Sequence, residues 1–426
     1  MIISPAKSLK GEITVPGDKS ISHRAVMFGS IANGITEIDG FLMGEDCLST
    51  IDCFRKLGIH IEILPGNKVK VHGKGMYGLQ PPSDILYTGN SGTTTRLLLG
   101  LLAGQNFECT IDGDESIRRR PMGRVIKPLK LMGADISGQK DDNLCPLAVK
   151  GQPLHGIRYE LPIASAQLKS ALLLASLYAE GNTFLIEPEK SRDHSELMLN
   201  YFGANIITHE LGIHSTPVSE LYPQHITVPG DISSAAYFIV AGLIVPNSEI
   251  TIKNVGINPT RTGIIDVLIS MGGKIDISNT KTLNNEPVAD ITVKSSSLAG
   301  TTVEGAIIPR LIDEIPVIAV AAAAAKGTTV IKDAQELKVK ESNRIKTVVT
   351  ELSKAGVDIQ ETADGMIING GNPITGAQFE SYNDHRIAMS MAVAALIAES
   401  ESTVNGAEAV NISFPGYFEI LKSLRV

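Results

Sequence analysis

Cations and hydroxyl side chains are concentrated in a few short stretches of the sequence. "DKSISHR" carries Lys19, Ser20 and Arg24, and "GNSGTTTR" carries Gly92 among hydroxyl residues. Both stretches are typical of helix starts, where free backbone N–H groups and the positive end of the helix dipole bind anions. Arg holds carboxylates and phosphates through two parallel hydrogen bonds, whereas Lys supplies a point charge. These residue types predict a site for small anionic molecules that needs no metal.

The same residue types recur elsewhere along the chain. Ser165 and Gln167 begin an Ala/Leu-rich segment, and Asp313 and Arg386 lie at the start of two others. Three basic stretches, "SIRRRPMGR", "KSRDH" and "KVKESNR", complete the set. Their candidate residues are Arg120, Arg192, Lys340, Glu341 and Arg344. A lone run of charges is usually a solvated surface, so the prediction of an anion site rests on all of these stretches together.

Other kinds of chemistry lack the residues that they need. The chain has no G-x-x-x-x-G-K-[ST] phosphate loop and no G-x-S-x-G nucleophile elbow. Its four cysteines form no C-x-x-C pair. His60 and His72 look isolated, which favours a surface or packing role, and His194 has no second His or Cys at metal spacing. The sequence therefore predicts neither a metal nor a cofactor.

Composition narrows the partners further. A net charge of −8 argues against nucleic acid as the main partner, but it permits local binding of small anions. The longest apolar run, around 317–325, is far shorter than the roughly 18–20 residues of a membrane span. The first twenty residues lack the apolar core of a signal peptide. With its cysteines read as reduced thiols, the chain is predicted to be cytoplasmic, with small-molecule partners and no membrane.

The elements that must position these residues form a repeat. Six segments run from a polar start into an Ala/Leu-rich helix, a short loop and a β-branched strand. They begin near residues 17, 89, 163, 230, 312 and 383, at spacings of 67–82 residues, and an even sixfold repeat would have a period of 71. Chance similarity in an Ala/Leu-rich chain is the alternative, and the regular spacing disfavours it. Most candidate residues fall at the helix starts of this repeat, and the other five lie in the three basic stretches.

Each repeat also contains a second helix, which ends before a glycine in "LGI", "MGA", "FGA", "MGG" or "AGV". Strands such as "IHIEIL" and "ADITVK" follow, so one repeat reads roughly β-α-β-α-β-β. "VPGD" occurs at 15–18 and again, half a chain later, at 228–231. The pattern predicts an α/β protein (α+β in some schemes) with two similar domains of three repeats each. All-round apolar helices, above all "PVIAVAAAAA", predict buried helices and outer sheets.

Six ordered motifs resemble one known family. They are "VPGDKSISHRA", "GNSGTTTR", "RRRPM", "SAQLKSALLLA", "ELKVKESNRI" and "YNDHRIAMSMAVAAL". Over nearly the whole chain the sequence is similar to the enolpyruvyl transferases called 5-enolpyruvylshikimate-3-phosphate synthases. The resemblance implies two inside-out α/β domains, each of three βαβαββ units around buried helices. It also implies that the N-terminal strand joins the C-terminal half, which gives domains of 1–14 plus 228–426 and of 15–227.

The resemblance implies an activity as well. The enolpyruvyl group of phosphoenolpyruvate would pass to the 5-hydroxyl of shikimate 3-phosphate with release of phosphate, by addition and elimination, in the shikimate pathway of aromatic amino acid biosynthesis. The implied catalytic residues are Asp313, Glu341 and Lys19. The implied shikimate 3-phosphate contacts are Lys19, Ser20, Arg24, Ser165, Ala166 (through its backbone), Gln167, Arg192, Asp313 and Lys340. The implied phosphoenolpyruvate contacts are Gly92, Arg120, Gln167, Arg344 and Arg386, and Lys19 reaches this substrate too.

The chain departs from the family pattern in two places. Family members often carry Lys close to the position of Ile412, and glyphosate-sensitive relatives often carry Pro at that of Leu97, which counts against sensitivity. Glyphosate-tolerant relatives often have Ala where this chain has Gly92, so the resemblance implies a glyphosate-sensitive enzyme. The family expectation for the oligomeric state is a monomer.

Two rival functions remain open at this point. A sister enolpyruvyl transferase acts on UDP-N-acetylglucosamine; it usually has Asn at the position of Ser20 and a reactive Cys in the loop near 115–120, where this chain has no Cys. A non-catalytic anion-binding protein on the same duplicated scaffold is the second rival. The presence of both Asp313 and Glu341 disfavours it.

Overall fold

A computed structural model describes residues 1–210 and 212–426 of the chain. The chain divides into two compact units. The first unit consists of Gly17–Val228 and Leu283–Glu286, and the second of Met1–Pro16, Pro229–Thr282 and Pro287–Val426. The sequence-based division placed residues 283–286 in the domain of 228–426. The structure corrects this, because they group with the first unit. These residues pack with the first unit, where the Asn284 side chain donates to the carbonyl of Thr227 at 2.7 Å.

The α-helices are interspersed with the strands along the chain. The α-helices are α1 (Lys19–Ile31), α2 (Glu45–Lys56), α3 (Gly92–Ala103), α4 (Glu115–Arg119), α5 (Gly123–Leu131), α6 (Gln139–Asp142), α7 (Ala166–Ser176), α8 (His194–Tyr201), α9 (Ile232–Ile244), α10 (Gly263–Ser270), α11 (Ile315–Ala324), α12 (Arg344–Lys354), α13 (His385–Ala395) and α14 (Tyr417–Ser423). Short 3₁₀ helices span Gly305–Arg310, Gln335–Val339 and Ala407–Ile412.

The strands are short, mostly of two to ten residues. They are β1 (Ile2–Ile3), β2 (Lys10–Thr14), β3 (Asn33–Asp39), β4 (His60–Leu64), β5 (Lys68–Lys74), β6 (Leu86–Tyr87), β7 (Glu108–Asp112), β8 (Asp135–Gly138), β9 (Leu144–Lys150), β10 (Leu154–His155), β11 (Arg158–Glu160), β12 (Ala179–Glu180), β13 (Thr183–Ile186), β14 (Asn205–His209), β15 (Gly212–Thr216), β16 (His225–Thr227), β17 (Glu249–Gly256), β18 (Lys274–Leu283), β19 (Glu286–Lys294), β20 (Thr302–Val303), β21 (Gly327–Ile331), β22 (Asp358–Glu361), β23 (Met366–Gly370), β24 (Gln378–Glu380) and β25 (Ser402–Asn405).

The six predicted repeat helices are α1, α3, α7, α9, α11 and α13, and the structure confirms all of them. Five begin with a polar side chain that accepts a hydrogen bond from the first turn and so caps the helix. These capping residues are Asp18, Ser91, Ser165, Asp231 and Asp384. The polar starts that mark the repeat in the sequence are thus the residues that fix where each helix begins.

The second helix of a repeat ends where the glycine signal predicts. The C-capping residues, which directly follow α2, α5, α8, α10 and α12, are Leu57, Met132, Phe202, Met271 and Ala355. Each is followed by a glycine with φ between 82° and 99°. This left-handed conformation is strained for residues with a side chain, so glycine is required to turn the chain out of the helix.

Five of the sheets share one four-stranded order. In the orders β16-β3-β5-β4, β6-β7-β9-β8, β11-β13-β15-β14, β2-β17-β19-β18 and β20-β21-β23-β22, the first two strands are parallel. A sixth, three-stranded sheet has the order β1-β25-β24. The strand that precedes α1, β2, pairs in the second unit, whereas β16, which precedes α9, pairs in the first.

The helices that start the repeats form the core of each unit. All residues of α11 except the last are buried, and so are all residues of α9 except Ile244. This agrees with the prediction from their all-round apolar sequences. The four cysteines are free thiols and buried. Within residues 1–210 and 212–426, none of the helices combines the length and apolar character that crossing a membrane requires.

Candidate functional site

In the first unit, hydrogen bonds join the starts of α1, α3 and α7. We call the candidate residues there the Arg24 cluster: Lys19, Ser20, Arg24, Gly92, Arg120, Ser165, Ala166, Gln167 and Arg192. The Arg24 guanidinium donates to the hydroxyls of Ser195 at 2.7 Å and Ser170 at 2.8 Å, and to the Ser20 carbonyl at 3.0 Å. Burial lowers the pKa of Arg24 to about 10, which still leaves it charged at neutral pH. Arg192 lies close enough for its charge to act on Arg24 in the same direction.

A second set of bonds connects α1 with α3 through α2. His23 Nδ1 lies 2.7 Å from the Thr50 hydroxyl, which lies 2.7 Å from the hydroxyl of Thr94. Thr94 in turn bonds Ser91, the capping residue of α3. Burial, together with the charges of Lys19 and Arg24, lowers the pKa of His23 well below its ordinary value. His23 is therefore neutral at pH 7 and acts as a buried tie between two helix starts.

Gly92 begins α3 and lies against two guanidinium groups. A Cβ at this position would stand 2.9 Å from Arg96 Nη1 and 3.0 Å from both Cζ and Nη1 of Arg120. Arg96 Nη1 donates to Gln167 Oε1 at 2.7 Å, and Gln167 Nε2 donates to the hydroxyl of Thr93 at 3.0 Å. The absence of a side chain at Gly92 therefore lets Arg120 approach the exposed N–H groups of the helix start.

Lys19 forms an ion pair with Asp46 of α2. Asp46 has one side-chain oxygen against the Lys19 ammonium and is itself almost fully buried. A carboxylate in this place holds the flexible Lys19 side chain at the start of α1, where the ammonium adds to the positive end of the helix dipole.

In the structure, some cations of the basic stretches pair with nearby carboxylates, whereas others lie at the helix starts. Arg118 binds the carboxylate of Asp112 at the end of β7, at 2.5 Å, and the exposed Arg119 binds that of Glu115 in its own helix α4, at 2.8 Å. Of the three consecutive arginines, only Arg120 faces the Gly92 helix start. Lys169 is fully buried, with Glu187 and Glu196 at 2.9 and 2.8 Å, and serves the core of the unit.

In the second unit, the remaining candidates surround one guanidinium group. We call Asp313, Lys340, Glu341, Arg344 and Arg386 the Arg344 cluster. Arg344 Nη1 lies 3.3 Å from Asp313 Oδ1, and Arg344 Nη2 lies 2.6 Å from Glu341 Oε2. Lys340 Nζ also reaches Asp313 Oδ1, at 3.2 Å, and Arg386 donates to the Asp313 carbonyl at 3.2 Å.

Asp384, the capping residue of α13, fixes the orientation of Arg344. Its two carboxylate oxygens lie 2.9 Å from Arg344 Nε and 3.2 Å from Arg344 Nη2. Burial acts to raise the pKa of Asp384, but the Arg344 charge outweighs it and holds this pKa below its ordinary value. Burial acts to lower the pKa of Arg344, and the charges of Asp384 and Glu341 raise it above its ordinary value. Both groups are therefore ionised at neutral pH.

The chain is similar to known proteins along its whole length. A family profile described as "EPSP synthase (3-phosphoshikimate 1-carboxyvinyltransferase)" matches residues 3–421. A Thermoanaerobacter sp. (strain X514) protein named 3-phosphoshikimate 1-carboxyvinyltransferase is 60% identical over 422 residues, which cover 99% of both chains. One of the same name from Geobacillus kaustophilus (strain HTA426) is 57% identical over 419 residues, 98% of both. The chain belongs to the EPSP synthase family.

Solved structures of this family share the fold. An EPSP synthase structure from Acinetobacter baumannii superposes with a TM-score of 0.89 at 45% identity, and it covers 100% of this chain and 98% of the other. The fold class expected from the repeat and the family membership expected from the six motifs are both confirmed.

Sequence-based prediction from the EPSP synthase motifs did not select several residues that orient the candidate site residues. They are Asp46, Thr50, Arg96, Ser195 and Asp384. Arg96 and Asp384 stand inside quoted motifs, so their position was a usable signal. The other three bond to residues 27 to 171 positions away in the chain, a relation that only the folded chain shows. Ile412 ends the last 3₁₀ helix and supplies no cation where family members often have Lys.

Proposed function

We propose that this chain transfers the enolpyruvyl group of phosphoenolpyruvate to the 5-hydroxyl of shikimate 3-phosphate and releases phosphate, as a 3-phosphoshikimate 1-carboxyvinyltransferase of the shikimate pathway. The observation that carries the proposal is the pair of carboxylates on one guanidinium: Asp313 and Glu341 both contact Arg344, at 3.3 and 2.6 Å. An anion-binding protein needs the cation, but it gains nothing from two carboxylates that oppose anion binding. Relatives 54–60% identical over nearly their full length carry this enzyme name.

The Arg24 cluster is proposed to hold shikimate 3-phosphate. Its members Lys19, Ser20, Arg24, Ser165, Ala166, Gln167 and Arg192 are assigned to the phosphate, carboxylate and hydroxyl groups of that substrate, with Lys340 and Asp313 added from the Arg344 cluster. In support, three helix starts within one unit are joined by hydrogen bonds and present free N–H groups together with buried cations. Such ends bind anions without any metal.

Phosphoenolpyruvate is assigned to Gly92, Arg120, Gln167, Arg344 and Arg386, with Lys19 reaching both substrates. The contact distances at Gly92 support this assignment, because they allow a guanidinium to meet a ligand directly at a helix start. Three arginines suit a molecule that bears one carboxylate and one phosphate, since each of these groups can accept parallel hydrogen bonds from a guanidinium.

Asp313 and Glu341 are proposed to move the protons. In the addition step Asp313 takes the proton of the 5-hydroxyl while the hydroxyl oxygen bonds to C2 of phosphoenolpyruvate, and Glu341, which enters the step protonated, gives its proton to C3. In the elimination step Glu341 takes a proton back from C3 and the C2–O bond to phosphate breaks. The proton held by Asp313 leaves with the phosphate. The cations hold the two substrates in reacting geometry and stabilise the charge that develops.

A phosphate-release assay tests the proposal. The purified chain should release phosphate when given shikimate 3-phosphate and phosphoenolpyruvate, and none with UDP-N-acetylglucosamine in place of the first. Glu341→Gln should abolish most of the release. Glu304→Gln is the matched control, because Glu304 is an exposed carboxylate of the second unit that pairs with Lys332 at 2.9 Å, and it should behave like the parent. Phosphate release from phosphoenolpyruvate with UDP-N-acetylglucosamine, but not with shikimate 3-phosphate, would favour the sister enzyme. No release with either acceptor would favour a non-catalytic protein.

We further propose that this enzyme is cytoplasmic and monomeric, uses no cofactor and is inhibited by glyphosate. Four buried free cysteines suit a reducing compartment, and the family resemblance supports the other parts. Light scattering of the purified chain at several concentrations tests the oligomeric state; a mass of twice 45.4 kDa would contradict the monomer.

A further inference from the structure

Two histidines that look isolated in the sequence meet on the surface of the first unit. His60 of β4 and His72 of β5 are direct partners across the antiparallel pair, and their rings are 4.7 Å apart. The sequence-based interpretation of them as isolated is therefore corrected. The β4–β5 turn contains Gly66 and Asn67 with φ of 78° and 58°, and this tight turn fixes the register that brings the two rings together.

Glu62 completes the group from the same face of β4. It lies two residues after His60, and alternate residues of a strand point to the same side. Glu62 Oε1 stands 2.6 Å from His72 Nε2 and 3.8 Å from His60 Nε2. The hydrogen bond with His72 lowers the pKa of Glu62, so the carboxylate is ionised at neutral pH. Among the described residues, these three form the one group of three or more His, Cys, Asp or Glu side chains whose ligand atoms are close enough to share an ion.

We propose that His60, Glu62 and His72 form a binding site for a divalent transition-metal ion such as Zn²⁺. Two imidazole nitrogens and one carboxylate oxygen are ligands that suit Zn²⁺, whereas Mg²⁺ and Ca²⁺ prefer oxygen alone. Ligand atoms on a tetrahedral Zn²⁺ stand about 3.3 Å apart, given metal–ligand distances of roughly 2.0–2.2 Å. The three donor atoms already lie within 4.8 Å of one another, so small side-chain rotations bring them to this spacing.

The surroundings leave the site accessible. The His60 side chain is 69% exposed, and those of Glu62 and His72 are 39% and 34% exposed. Lys70, which is paired with Glu62 across the strands, turns its ammonium to Glu37 at 2.7 Å. Three protein ligands leave a fourth position for water. The group contains none of the residues assigned to the proposed reaction, and its bound ion would tie the two strands of the β4–β5 hairpin together.

Calorimetric titration of the chelator-treated chain with ZnCl₂, in a buffer free of phosphate, tests the site. We expect one saturable Zn²⁺ per chain and no saturable binding of Mg²⁺. His72→Ala and His60→Ala should each weaken Zn²⁺ binding by about tenfold or more, since even residues that only support metal ligands contribute about this much. Both substituted side chains are on the surface, and circular dichroism checks that the variants are folded.

His225→Ala is the matched control. His225 forms another His–carboxylate pair on the same sheet, 2.7 Å from Asp39, and its side chain is 59% exposed. This variant should bind Zn²⁺ like the parent. The melting temperature of the parent should rise with Zn²⁺, because an ion that binds only the folded chain stabilises it, and it should not rise for His72→Ala. Absence of a saturable site in the parent, or parental affinity in both His60→Ala and His72→Ala, would overturn the proposal.

Discussion

The contact between Gly92 and two arginines makes Gly92→Ala a sharp test of the proposed phosphoenolpyruvate site. The new Cβ would stand 2.9 Å from Arg96 Nη1 and 3.0 Å from Arg120 Cζ. Ordinary contacts to a methyl group begin near 3.4 Å, so the guanidinium groups must move by several tenths of an ångström. The backbone itself accepts alanine, because Gly92 is the first residue of a helix and does not have a left-handed φ.

The size of the effect follows from the hydrogen bonds that the displaced guanidinium of Arg120 would lose. A hydrogen bond to a charged group contributes about 1.5–3 kcal/mol. Loss of one such bond weakens binding by roughly 10- to 150-fold, at about 1.4 kcal/mol per factor of ten. Glyphosate is longer than phosphoenolpyruvate and has less room to adjust. We therefore expect its inhibition constant to rise by at least tenfold in Gly92→Ala, and by more than the KM for phosphoenolpyruvate.

Steady-state kinetics of the parent and of Gly92→Ala measure both quantities. The KM for shikimate 3-phosphate and the melting temperature serve as internal controls, and both should stay within about twofold and a few degrees of the parent. Leu97, fully buried in the same helix, is unchanged in the variant, so the comparison isolates the methyl group. Strong resistance in the parent, or an unchanged inhibition constant in the variant, would refute the idea that this helix start sets the length of the site.

Three other predictions concern carboxylates. Asp313→Asn and Glu341→Gln should lower kcat far more than they raise the dissociation constant of shikimate 3-phosphate, and near-normal kcat in both would contradict the proton-transfer roles. Asp384→Asn removes one of the three carboxylates around the buried Arg344 and should lower the free energy of unfolding in urea, by less than the roughly 3–5 kcal/mol of a fully unpaired buried charge because Glu341 and Asp313 remain, and it should raise the KM for phosphoenolpyruvate; unchanged values of both would contradict the orienting role. Burial acts to raise the pKa of Asp290, but bonds from neighbouring groups lower it to about 2, so its stabilising contribution is present above about pH 4 and lost as the pH falls through 2. The free-energy difference between the parent and Asp290→Asn should accordingly shrink below pH 4, and a constant difference would refute this.

The fold could be predicted because each repeat carries local signals. Helix starts need capping side chains and helix ends need glycine, and both requirements act on residues that are neighbours in the sequence. Asp18, Ser165 and Asp231 are caps of this kind, and Gly58 and Gly133 end their helices with φ of 84° and 99°. Helix starts and ends of this kind can be predicted from neighbouring residues alone, without knowing what else the helix contacts.

The site was only partly predictable because its geometry depends on distant residues. The sequence could not tell that Arg24 bonds Ser195, 171 positions away, or that Lys19 pairs with Asp46. The sequence also could not tell which arginines of "SIRRRPMGR" pair with carboxylates of the fold. Arg118 does so, with Asp112 in the preceding strand, whereas Arg120 lies at the start of α3. Burial and long-range pairing decide which charges are structural, and neither has a local sequence signal.

The two copies of "VPGD" show how local and distant requirements differ at one motif. Each copy lies where the chain passes from a strand of one unit to a helix of the other, since β2 pairs with β17 and β16 pairs with β3. The turn has little room: a Cβ at Gly17 would lie 2.0 Å from the Gly40 carbonyl oxygen, and one at Gly230 would lie 2.9 Å from a methyl group of Val15. Glycine is therefore required at Gly17, where a side chain would collide with backbone, and at Gly230 a side chain would displace the Val15 side chain.

Beyond the turn the two copies obey different requirements. Asp18 and Asp231 both cap a helix, at 2.9 Å from a backbone N–H of the first turn. After Asp18 come the cations of the Arg24 cluster, whereas Asp231 is followed by apolar and small residues and is itself held by Arg261 at 3.1 Å. The second unit takes its cations from the starts of α12 and α13 instead, through Arg344 and Arg386. The repeated letters thus follow from the path of the backbone, and the letters that differ follow from which helix starts in each unit carry the charges that we propose to bind ligands.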